Sequence, residues 1–210
     1  MKRNYWLILL IFIIFVIVFV YNISDNASSD APPMTETSDN EEMTIGERED
    51  IEKIIIDPSK YTKPDESVIK EKLTPLQYKV TQDEGTERAY DNAYYDNKDL
   101  GIYVDIVTNE PLFFSTDQYT SGTGWPSFTK PINLDVITFH EDDSLFAMRT
   151  AIKSRVGNSH LGHVFTDGPV DEGGLRYCMN SAALKFIPYN EMDGLGYGDL
   201  MAPLDQLNSN

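Results

Sequence analysis

The spacing of apolar residues changes character three times along the chain. Trp6 to Val20 is apolar without interruption, inside an uncharged stretch from Asn4 to Ile23. Some twenty helical residues span roughly 30 Å, the depth of a bilayer core, so the pattern predicts a spanning helix. Tyr5, Trp6 and Tyr21 stand at its ends, where interfacial aromatics sit. From 24 to 57 no apolar period survives. Helical signals follow. Pro64 to Lys72 reads as a short helix with the proline near its first turn. Thr74-Pro75-Leu76-Gln77 reads as a capping box opening a helix to about Thr81, with Gly85 at its exit.

From residue 100 the period becomes two. Ile102, Val104 and Ile106 alternate with Tyr103, Asp105 and Val107, which predicts a half-buried strand. Val136–Phe139 and Leu145–Ile152 flank the acidic turn Glu141-Asp142-Asp143-Ser144 and read as a β-hairpin. His163–Phe165 and Leu175–Met179 supply further strands, separated by Thr166-Asp167-Gly168-Pro169 and Gly173-Gly174. After Cys178 the apolar phase shifts to Leu184 and Phe186, so a bulge or tight bend is expected at 181–183. Short strands with Gly and Pro punctuation predict a mainly β sandwich or barrel of about 115 residues.

Composition divides the chain further. Residues 24–57 hold eleven Asp or Glu against Arg48 and Lys53, over half of a net charge of −17. Such a stretch repels itself and reads as a disordered tether. The expected organisation is a membrane anchor or signal at 1–23, an acidic linker at 24–57, a helical lead-in at 58–72, the main domain at 73–190 and a tail at 191–210. Lys2 and Arg3 predict a cytoplasmic N-terminus with the remainder exported. A cleavable signal is the alternative; the nearest small-residue site, Ser29-Asp30-Ala31, is followed by Pro32. Either way the domain is expected outside the cytoplasm, on the cell membrane or secreted. The acidic balance argues against nucleic acid as a partner.

Candidate chemistry gathers in four stretches. Gly173-Gly174-Leu175-Arg176-Tyr177-Cys178-Met179-Asn180-Ser181 contains the single cysteine, which rules out an internal disulfide and any metal site built on several thiolates. On a strand, Arg176, Cys178 and Asn180 share a face, with neighbours about 6.5–7 Å apart. A guanidinium beside a thiol favours thiolate, but free cysteine is also among the most buried residue types. Gly124-Trp125-Pro126-Ser127-Phe128 presents two aromatics from a Gly/Pro loop. They either cap the core or wall a site for an apolar or sulfur-bearing group. His160 and His163 are three apart, a metal-ligand spacing on a helix, but Gly162 and Val164 argue against a helix there. An acid–base histidine remains open. Asp167 either orients it or makes a turn, and His140 is read as surface.

Together these segments resemble the signatures of the B-type methionine-R-sulfoxide reductases. The likeness rests on Gly124–Phe128, His160–Phe165 and Arg176–Ser181, with Leu73–Tyr78, Gly85–Glu87 and Gly101–Phe113 as the opening. It implies two antiparallel sheets forming a distorted β-barrel with a short N-terminal helical segment. It implies Cys178 as the nucleophile on a methionine-R-sulfoxide. His163, with Asp167, Arg176 and Asn180, would position the sulfoxide and protonate its oxygen. Trp125, Phe128 and His160 would lie on the substrate side. Two departures stand out. Thr123 occupies the place of a resolving cysteine found in many members. Asp105, Thr108, Ser154 and Gly157 occupy those of a structural zinc's cysteines, so no zinc is expected. The resemblance then implies an external thiol reductant, thioredoxin-like and extracytoplasmic, and oxidised methionine-containing proteins or peptides as substrates. A binding module on the same fold and a cysteine hydrolase are the competing classes.

Overall fold

A computed structural model describes residues 54–143 and 149–208. The expected membrane segment and most of the acidic linker therefore lie outside the described residues. Among the described residues no helix is long and apolar enough to cross a membrane.

The capping box forms as the pattern predicts. Thr74 N–H donates to Gln77 Oε1 at 2.9 Å and Gln77 N–H donates to Thr74 Oγ1 at 3.3 Å, which satisfies two donors that the helix itself cannot pair. Helix α1 (Glu66–Lys72) precedes the box and α2 (Pro75–Gln82) leaves it. Asp65 is the N-cap of α1, so Pro64 stands just outside the first turn.

Nine strands follow among the described residues: β1 (Gly101–Asp105), β2 (Pro111–Phe114), β3 (Gln118–Tyr119), β4 (Ser127–Phe128), β5 (Ile137–Asp142), β6 (Arg149–Ser154), β7 (His160–Phe165), β8 (Arg176–Met179) and β9 (Leu184–Pro188). They form two antiparallel sheets, ordered β2-β1-β9 and β3-β4-β8-β7-β6-β5. Among the described residues no hydrogen-bonded ladder closes the two sheets into a barrel. The bend expected after Cys178 is a 3-10 turn, Ser181–Ala183, and it carries the chain from the larger sheet to the smaller. Beyond β9, α3 (Tyr189–Met192) and α4 (Ala202–Asn208) follow. Met192 and Leu204 from these helices are fully buried in the core.

Strand β1 departs from its pattern. Both faces are buried, Tyr103 and Asp105 included. The reason is its central place in the smaller sheet, where the second face is covered as well. Tyr103 packs edge-on against Phe128 at 5.1 Å, and its hydroxyl donates to Gln118 Oε1 at 2.5 Å. Phe128 also stacks on Phe113 at 4.4 Å and is fully buried.

Asp105 is the carboxyl at the centre of a buried knot. Its Oδ2 accepts from Thr108 Oγ1 at 2.9 Å, Ser154 Oγ at 2.8 Å and Ser159 Oγ at 3.3 Å, and its Oδ1 accepts Val107 N–H at 3.0 Å. Two matching turns are thereby tied together, one after β1 and one after β6. Each ends on an asparagine in the left-handed region, Asn109 and Asn158. A side chain at Gly157 would collide with the Asp105 carboxylate and the Ser154 hydroxyl. Burial pushes the Asp105 carboxyl up while these donors pull it down. Removing the carboxylate strands several buried donors at once. Asp105→Ala is expected to lower the unfolding free energy by about 3 kcal/mol or more, measured by urea denaturation. A loss below about 1 kcal/mol contradicts the role given to the knot.

Candidate active site

Strand β8 places the thiol. Tyr177 and Met179 point into the core, and Arg176 and Cys178 point the other way. Cys178 is half-buried and stands opposite Ser127 on β4 and His163 on β7. Directly opposed residues in an antiparallel pair bring their Cβ atoms to about 5 Å, so register alone sets imidazole and hydroxyl beside sulfur. Gly162 makes the approach possible: a Cβ there would run into the Cys178 carbonyl. A cavity of about 100 Å³ opens at this point, with Cys178, His163, Trp125, Arg149 and Asn180 in its wall.

The thiol lies among hydroxyls. Ser127 stands directly opposite it on β4, and Thr123 and Arg176 lie near enough to act on it electrostatically. Ser127 Oγ donates to Ser121 Oγ at 2.8 Å, and Ser121 meets Thr123 Oγ1 at 2.8 Å. Thr123, which the resemblance matches to a resolving cysteine, thus joins this hydroxyl chain beside the sulfur. Burial nevertheless pushes the Cys178 thiol up, and the Arg176 charge pulls the other way without winning. Arg176 shares the thiol's side of β8, as strand alternation implies. Its guanidinium is committed elsewhere: Nε and an Nη donate to the two Asp167 carboxylate oxygens at 2.8 and 2.9 Å, and its Cζ lies 4.4 Å above the Phe165 ring.

That pairing sets Asp167 against Arg176. Its side chain is 65% exposed and holds Arg176, not His163. The carboxylate on His163 comes from Asp142, with Nε2 to Oδ2 at 2.7 Å, and Arg149 donates to that same oxygen at 2.6 Å. Asp142 and Arg149 face each other across the β5–β6 hairpin. A carboxylate on Nε2 gives that nitrogen the proton, leaving Nδ1 to exchange one. Burial pulls His163 down and Asp142 pulls it up, with burial the larger; the resting imidazole is neutral near pH 7.

His160 does not line the cavity. It is 2% exposed, with its ring centroid 5.3 Å from that of His163. Neither ring nitrogen has a hydrogen-bond partner among the described residues. Burial first, then His163, lower it to about 4, so it is neutral and packs behind the working imidazole. A register shift between Ile152 and Lys153 brings two residues three apart onto one side. Phe128, expected near substrate, belongs to the core described above. Asn180 remains at the cavity, with Nδ2 donating to the Leu161 carbonyl at 3.1 Å. Asp142 and Arg149 were not visible as site residues in the sequence, because the acidic turn reads as solvent-facing and only the β5-β6-β7 order carries it to His163.

The four positions of the family's structural zinc converge in the Asp105 knot. One carboxylate already engaged by hydroxyl donors, two hydroxyls and a glycine do not fit tetrahedral zinc, which takes thiolate and imidazole ligands.

A half-buried thiol, an imidazole held by a carboxylate and an indole thus surround one small cavity. A family model for the SelR domain matches residues 73–188. Over 142 residues the chain is 61% identical to the peptide methionine sulfoxide reductase MsrA/MsrB of Vibrio cholerae serotype O1, covering 68% of this chain and 37% of that protein. The chain therefore belongs to the SelR-domain family, that of the B-type methionine sulfoxide reductases. It spans little more than a third of the length of this curated relative.

Because burial outweighs Arg176, alkylation of Cys178 by iodoacetamide is expected to rise with pH to a midpoint above the ordinary thiol value. Arg176→Gln should move it higher still. A midpoint well below that value, or one indifferent to Arg176, contradicts this balance.

Proposed function

We propose that the chain reduces methionine-R-sulfoxide residues in proteins or peptides to methionine, with Cys178 as nucleophile. The observation that carries this reading is the thiol facing His163 across the β7–β8 ladder in a cavity walled by Trp125. A space of about 100 Å³ admits the end of one side chain rather than a whole peptide. The Trp125 ring offers the apolar contact that a sulfur-bound methyl group favours.

The neutral imidazole fits the proton chemistry. His163 Nδ1 takes the thiol proton as Cys178 sulfur attacks the sulfoxide sulfur, and Asp142 stabilises the imidazolium that forms. The proton then goes to the departing sulfoxide oxygen. The S–S bond made in the attack and the substrate's S–O bond then break as the oxygen, now carrying the proton, bonds to Cys178 sulfur. Methionine is the reduced product and Cys178 sulfenic acid the oxidised one, on the reversible part of the thiol oxidation ladder. The nearby Arg176 charge favours sulfur as it passes through thiolate.

Cys178 is the only cysteine of the chain, so resolution comes from outside it. A first external thiol condenses with the sulfenic acid, releasing water and leaving a mixed disulfide. A second thiol of the same reductant displaces Cys178 as thiol and leaves as disulfide. A thioredoxin-like dithiol supplies both electrons. The uncharged run at 4–23 behind Lys2 and Arg3 supports a membrane anchor with the domain on the extracytoplasmic side, where it would repair oxidised proteins.

With dithiothreitol as reductant, the chain is expected to consume the R sulfoxide of a blocked methionine and leave the S sulfoxide. Cys178→Ser should abolish that consumption. Consumption of both epimers or neither, or turnover by Cys178→Ser, contradicts the proposal.

A further inference from the structure

Glu87 lies in the loop between α2 and β1, and three parts of the site end on it. It is 5% exposed. Its carboxylate accepts the N–H of Ser181 through Oε1 and that of Ala182 through Oε2, the latter at 2.9 Å. These are the first N–H groups of the 3-10 turn that follows Asn180. Its own N–H donates to Asn180 Oδ1 at 3.1 Å. Its carbonyl accepts the Trp125 indole N–H at 3.3 Å. Thr86, the residue before it, lines the same cavity as Cys178.

The thiol strand and the indole loop therefore meet on one residue. Cys178 is two positions from Asn180, and the turn beyond Asn180 has its opening N–H groups fixed by the Glu87 side chain. Trp125, on the opposite wall, is fixed by the Glu87 backbone. A purely space-filling residue here has no need of charge. Burying a carboxylate is costly unless its hydrogen bonds are good, and here backbone donors at the start of a turn fill that role.

We infer that Glu87 is a positioning residue of the reductase: by clamping the turn after Asn180 while holding Trp125, it sets the gap between the indole and the Cys178 sulfur. The inference rests on the activity proposed above. Displacing a positioned group by about 1 Å can cost a hundredfold in rate, so a staple across the two walls has leverage although it never touches the substrate.

The test uses the full chain with Trp6→Phe, which leaves Trp125 as the only tryptophan. Into it go Glu87→Gln, which keeps one acceptor oxygen, and Glu87→Ala, which keeps none. Activity on the R sulfoxide, thermal stability and Trp125 emission are read for each. The expected result for Glu87→Ala is a loss of about tenfold or more in kcat/KM per folded enzyme, with Trp125 emission shifted to the red. Glu87→Gln should recover part of both, and it carries the test alone if the alanine variant does not fold. Variants that are less stable but match the parent in kcat/KM and emission overturn the inference, as do variants that match it throughout. A parent inactive on the R sulfoxide overturns the proposed activity and this inference together, whereas an active parent with indifferent variants overturns the inference alone.

Discussion

The site depends on the register between β7 and β8. His163 faces Cys178 only because the two strands pair at that offset, and a slip of one residue would turn the imidazole to the other sheet face. Several features hold the offset in place. Tyr177 and Met179 are committed to the core on the far side of β8. Gly162 lets the two backbones close beside the thiol without a Cβ between them. The 3-10 turn after Asn180 ends β8 and sends the chain into the smaller sheet, so the strand cannot slide without dragging that sheet with it. Geometry of this kind is set by packing, and the reacting groups inherit it.

Polar groups in this domain are organised as closed pairs and knots. Arg176 is held by Asp167, His163 by Asp142, and the hydroxyls of Thr108, Ser154 and Ser159 by Asp105. The consequence for chemistry is a site that rests nearly neutral. A thiol raised by burial and an imidazole lowered by burial both keep their uncharged forms. On the proposed mechanism, charge separation is confined to the moment at which sulfur meets sulfoxide, with Asp142 and Arg176 placed for the two charges that would appear. The same reasoning describes the knot, where one buried carboxyl is surrounded by its donors.

Much of the fold was legible in the sequence because it is written in local pattern. The capping box at Thr74, the strand containing Cys178 and the bend at 181–183 follow from residue type and spacing within a few positions. The segments that approach one another at Cys178 were also legible, since tryptophan, histidine and cysteine in loops and short strands are hard to explain as packing. What escaped is set by non-local contact. Tyr103 and Asp105 alternate as if exposed, but a second layer covers them. Phe128 sits in a loop-like run yet stacks on Phe113. Asp142 reads as a turn residue, and only two successive strand pairings bring it to His163. Asp167, closer in sequence, was the natural partner by proximity, but two parallel hydrogen bonds hold it to Arg176.

The central claim is that Cys178 takes the oxygen of a methionine-R-sulfoxide. A single turnover without reductant tests it most directly: mix the protein with a small excess of the R sulfoxide of a blocked methionine and analyse both partners by mass spectrometry. The account predicts one equivalent of methionine formed and one oxygen gained, located on Cys178 and trapped by a sulfenic-acid probe. Methionine formed with Cys178 unmodified, or no methionine formed by folded protein, would contradict it.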